Sequence, residues 1–163
     1  MKQAVIGFVL MVVSGLAMAQ LPSNDPAVVC NYLEVEQLPT DGWQMNDEGK
    51  GRCASQIRSF GREEVGPLHQ LSYEARGNAD SASILQVILD VNPPQAISEA
   101  NKWFLQVSQR LSTNAFGKRL PSNISAAISG GLEATATIGN TTLSVNRQEH
   151  ESGVGYQMRF SIQ

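Results

Sequence analysis

The stretch that decides the fold is residues 83–112, SILQVILDVNPPQAISEANKWFLQVSQRLS. Over its first nine residues Leu85, Val87, Leu89 and Val91 fall on one face, and Ile84, Gln86, Ile88 and Asp90 on the other. A period of two is a strand, and the mixed second face predicts a central strand that is half covered on that side. Asn92-Pro93-Pro94 ends it, because proline has no amide to give the ladder. From about Gln95 to Ser112 the period changes. Ile97, Ala100, Phe104, Val107 and Leu111 recur at three- and four-residue steps, with Trp103 widening the stripe. Asn101, Lys102, Gln109 and Arg110 are assigned to the far side. This is an amphipathic helix with one face to bury, and the preceding strand supplies a surface for it.

Towards the C-terminus, Thr113 to Leu120 reads as a loop, and Ser122 to Ser129 as a short helix closed by Gly130-Gly131. Leu132, Ala134, Ala136 and Ile138 then alternate with Glu133, Thr135 and Thr137. Gly139-Asn140 fits a two-residue hairpin turn into a strand from Thr141 to Gln148. The last strand sets Val154, Tyr156, Met158, Phe160 and Ile162 against Gln157, Arg159 and Ser161. Such one-sided alternation predicts a sheet with a wet face.

Towards the N-terminus, strands are expected at Leu68 to Arg76 and Cys53 to Phe60, the latter with Cys53 and Ile57 on one face. Leu38 to Arg52 reads as a loop pinned by Trp43 and Met45. Asp25-Pro26 is a helix start, since Asp caps and Pro suits the first helical position. That helix is expected to run to about Gln37. The predicted order is α-β-β-β-α-(α)-β-β-β, in one α+β domain over 20–163. The expected architecture is a mostly antiparallel sheet of about six strands with helices packed on one face. Its two halves share a helix-plus-meander pattern without a residue-level repeat.

Residues 1–19 carry Lys2, then an uncharged apolar run, then Ala17-Met18-Ala19 ahead of Gln20. This is the pattern of a cleaved secretory signal peptide. The run is shorter than the roughly 20 residues of a spanning helix. Gln20 rather than cysteine after the cleavage site disfavours a lipid anchor, so no stable membrane anchor is expected after cleavage. The expected compartment is a bacterial periplasm or the exterior. Export makes Cys30 and Cys53, the only two cysteines, a predicted disulfide. Cleavage removes one Lys and no acid, so the mature chain is slightly more acidic than the full chain's −3. That balance lacks the basic stripe of a nucleic-acid binder. It suits a basic protein partner without deciding one.

Catalytic patterns are sparse. His69 lies on the apolar phase of its strand and reads as a core histidine. His150, in Glu149-His150-Glu151, reads as part of a solvated turn. No metal site or cofactor is expected. There is no G-x-S-x-G elbow, and Gly117-Lys118 has no upstream phosphate-loop glycine. Glu63-Glu64, Asp47-Glu48 and Asp41 are carboxylates whose convergence a sequence does not show. Two binding surfaces are candidates. One is the wet sheet face with Glu133, Thr135, Thr137, Gln157 and Arg159, joined by Thr142 and Ser144. The other is the loop with Phe116, Lys118 and Arg119, an aromatic beside two cations. The leading expectation is a non-enzymatic, exported binding or accessory protein that contacts another envelope or secreted protein; an inhibitor or immunity protein is its narrower form. The alternatives are a small periplasmic hydrolase using carboxylates and a carrier of a small apolar ligand.

Overall fold

The computed structural model describes residues 23–163, so the signal-peptide reading of 1–19 lies outside the described residues. The fold is α+β. Its helices are α1 (Pro26–Val29), α2 (Ile97–Phe116) and α3 (Ser122–Gly130). Its strands are β1 (Gln44–Met45), β2 (Gly51–Ala54), β3 (Arg58–Phe60), β4 (His69–Gly77), β5 (Ala82–Val91), β6 (Ala134–Ile138), β7 (Thr141–Glu149) and β8 (Tyr156–Ile162). They form one sheet in the order β1-β2-β4-β5-β8-β7-β6, with β3 also on β4, and every pairing is antiparallel.

β5 is the central strand that its sequence predicts, lying between β4 and β8. Register then sorts the side chains. On the inner face, Tyr73, Val87, Phe160, Val145 and Ala134 form one row across five strands. α2 lays Ala100, Phe104, Val107 and Leu111 on this face, all fully buried, and α3 adds Ile124 and Ile128. Nonpolar area removed from water along this seam is the main source of stability. Among the described residues, the helices cover only this side.

The disulfide joins Cys30, just after α1, to Cys53 in β2, with a Cα–Cα distance of 5.9 Å. Asp25 caps α1 by accepting from the Ala27 amide at 2.9 Å. Gly139 begins the β6–β7 turn at φ +60°, which matches the positive φ that a hairpin turn of this kind needs at its first central position.

Several boundaries differ from expectation. The first helix is one turn long and gives way to a 3-10 turn at Glu34–Glu36 instead of continuing to Gln37. Val35 is consequently 83% exposed. The cause is tertiary. The buried Tyr73 hydroxyl donates to the Val29 carbonyl at 2.7 Å, so that carbonyl has a partner outside the helix. The expected strand Cys53 to Phe60 is two strands, because Ser55 binds the Tyr73 backbone in both directions and turns the chain away. Ile57 is left exposed between them. The expected loop Leu38 to Arg52 contributes β1 and the start of β2. Trp43 packs on the core as expected, but Met45 is exposed. A Cβ on Gly51 would collide with the Trp43 ring, so a glycine there lets the indole lie flat on β2. Leu132 and Val154 are exposed outside their strands, and α2 extends to Phe116.

Candidate functional site

The uncovered face of the sheet carries the polar phase of each long strand. Strand register places Glu74, Gln86, Ser161, Ser144 and Thr135 in one row. A second row holds Ser72, Ile88, Arg159 and Asn146, and a third Gln70, Asp90, Gln157 and Gln148. Hydrogen bonds run along and between these rows. Arg52 donates to Glu74 Oε2 from Nε at 3.0 Å and from Nη2 at 2.7 Å. Arg76 pairs with the other Glu74 oxygen and donates to Gln86 Oε1. Gln86 Nε2 then donates to Ser161 Oγ at 2.8 Å. The chain of bonds crosses four strands, and Glu74, Gln86 and Ser161 are all buried within it.

A second chain runs from the second row into the third. Arg159 Nη2 donates to Gln157 Oε1 at 2.9 Å, and Gln157 Nε2 donates to Asp90 Oδ1 at 3.2 Å. The same oxygen lies 3.3 Å from His150 Nε2. His150 Nδ1 faces the Val154 carbonyl at 3.2 Å. Both ring nitrogens thus face acceptors, and a neutral ring donates to only one of them at a time. The sequence reading of His150 as a solvated turn residue misses this contact with the sheet. Only the pairing of β5 with β8 brings Asp90 near. Between the two hydrogen-bonded chains, over β7 and β8, lies an open cavity of about 480 Å³ lined by Gln86, Ser144, Asn146, Gln148, Gln157 and Arg159 among others. Arg159 Nε is buried there without a hydrogen-bond partner among the described residues.

The expected wet-face residues largely come together. Thr135, Thr137, Thr142, Ser144, Gln157 and Arg159 share the open face by register. Glu133 sits just before β6 and folds back to accept from the Arg147 amide at 3.1 Å. Phe116, Lys118 and Arg119 lie apart from these, at the end of α2 on the helix side. Phe116 packs against the core, and Gly117 closes the helix at φ +65°. Lys118 and Arg119 border a cavity of about 690 Å³ with Gln106, Gln109, Arg110 and Glu36. Glu36 is buried and accepts from Arg110 Nε at 3.1 Å and Gln106 Nε2 at 3.2 Å.

Other residues turn out to be structural. His69 is buried, and its Nδ1 accepts from the Asn92 amide at 3.0 Å, which fixes the neutral proton on Nε2. Burial pushes its pKa below the ordinary histidine value, and the Ala96 backbone and Glu99 charge offset this only in part. Asn101 was expected on the far side of its helix; it is buried, donating to the Ser129 carbonyl at 3.3 Å and accepting from the Tyr156 hydroxyl at 3.3 Å. Arg147 is turned to the inner side, where it lies 3.7 Å over the Tyr156 ring and donates to the Gly131 carbonyl. Glu63-Glu64 and Asp47-Glu48 are exposed on two separate turns. Among the described residues no group of three or more His, Cys, Asp or Glu is placed to hold a metal ion, and no helix is long and apolar enough to cross a membrane. Comparison with protein-family models, curated proteins and solved structures found no match.

Proposed function

We propose that the chain is an exported, non-enzymatic binding protein that engages another envelope or secreted protein through the uncovered face of its sheet. The observation that carries this reading is the bonded chain Arg52–Glu74–Arg76–Gln86–Ser161 on a face that no helix among the described residues covers. Its side chains are already ordered, so a partner that docks there freezes few rotamers, and preordered groups bind more tightly for the same contact. The Cys30–Cys53 disulfide and the apolar segment at 1–19 support export to an oxidising compartment. An inhibitor or immunity role is the narrower form of the same reading.

The test is affinity capture of the exported chain from its native envelope, with wild type beside Asn146→Trp. Asn146 is exposed on the open face, so the indole blocks docking without touching the core. A stoichiometric partner held by wild type and lost with Asn146→Trp is the expected result. A partner retained by Asn146→Trp and lost with Lys118→Glu/Arg119→Glu would move the interface to the helix side and overturn the reading. So would the absence of any stoichiometric partner.

A further inference from the structure

We infer that Arg159 is the anchor of this face and that it takes a carboxylate from an acidic segment of the protein partner; the inference rests on the open face being the docking surface. Three arginines project from the face, and two of them are satisfied. Arg52 presents its Nε–Nη2 edge to Glu74, and Arg76 pairs with the same carboxylate. Arg159 has no ion pair among the described residues. On the corresponding edge, Nη2 meets only the neutral amide oxygen of Gln157, and Nε is buried beside it without a partner among the described residues, so an incoming carboxylate takes this edge by displacing the Gln157 oxygen.

No Asp or Glu side chain lines the cavity beside it. The nearest acid in the bonded network is Asp90, which already accepts from Gln157 and lies against His150. The rest of the lining is mostly amide and hydroxyl, from Gln86, Ser144, Asn146, Gln148, Ser161 and Gln163, with Arg147 as a second cation at its border. These groups donate to a second carboxylate oxygen or to the backbone of an extended segment without adding repulsion. Guanidinium and carboxylate are matched in shape, two parallel N–H donors facing two oxygens, and such charge-assisted pairs are the stronger hydrogen bonds. The face is thus locally cationic at Arg159 on a chain whose formal net charge is −3. Local charge at the contact, rather than the total, selects the partner's sign.

The experiment titrates the intact exported chain with acetyl-hexaglutamate amide, with its hexaglutamine counterpart and with glutarate. The readouts are the Arg159 Nε–Hε resonance and the dissociation constant. The expected result is a shift of that resonance by hexaglutamate, at least about tenfold weaker binding of hexaglutamine, and a comparable loss for Arg159→Gln. Arg159→Lys, which keeps the charge but not the fork, is expected to recover only part of the affinity. Equal binding of both peptides overturns the inference. So does a response at Lys118 and Arg119 with Arg159 silent. Glutarate binding as tightly as the peptide would make this a small-carboxylate site and also overturns it. Failure here with capture still sensitive to Asn146→Trp would leave the docking face standing and remove only its anchor.

Discussion

His69 shows how one side chain can tie stability to pH without belonging to a binding surface. Its ring is buried between β4 and the start of α2, with Nδ1 committed to the Asn92 amide. Protonation in the folded state would give Nδ1 a second donor facing a donor. The folded pKa is lowered from its ordinary 6.5, so the unfolded chain binds the proton first. The stability that His69 contributes is therefore complete above about pH 6.5 and is lost as pH falls through the lower folded value. Urea midpoints measured from pH 7.5 down to 5 should decline for wild type and decline less for His69→Asn, which keeps an acceptor for Asn92. An unchanged slope in the variant would place the acid sensitivity elsewhere. Placing His69 in the core needs only the alternation of Leu68 to Arg76. Its tautomer does not follow from sequence, because it depends on Asn92, which reaches it only after β4 and β5 pair.

At the scale of elements, the disulfide carries the most testable consequence. It joins the short α1 to β2 across an intervening loop, and closing such a loop stabilises by roughly 3 kcal/mol on the chain-entropy model. Cys30→Ser/Cys53→Ser should lose about that much in denaturant unfolding, and alkylation without reduction should label neither cysteine of the wild type. Elements with an unbroken period were legible in the sequence: β5, α2 and β8 stand where the alternation and the helical stripe place them. The short N-terminal elements were not. Whether Ser55 continues a strand or leaves it is decided by its bonds to Tyr73, and the end of α1 by the Tyr73 hydroxyl, both contacts between distant parts of the chain. Propensity is local and yields to such contacts. The open face divides in the same way. Thr135, Gln157 and Arg159 could be assigned to one wet side from alternation alone. Glu74, Gln86, Asp90 and His150 join them only through strand order, which no local pattern encodes.

Across the whole molecule, the strand order sets β1-β2-β4-β5, with β3 on β4, on one side of the β5–β8 seam and β8-β7-β6 on the other. α2 and α3 carry the chain from the central β5 to the far edge at β6, and they do so on the inner side. Among the described residues, this route leaves the opposite face without a covering helix, with Arg159 near its middle. The two cationic features are thereby separated by the thickness of the sheet and its helices: Arg159 on the open face, Lys118 and Arg119 on the helix side. Total charge does not distinguish them, but position does. Docking through the open face is tested by site-specific photocrosslinking in the native envelope, with the reactive side chain placed at Ser144 on the open face or at Lys118 on the helix side. A discrete protein adduct is expected from position 144 and none from position 118. An adduct from position 118 alone, or from neither, would contradict docking through the open face.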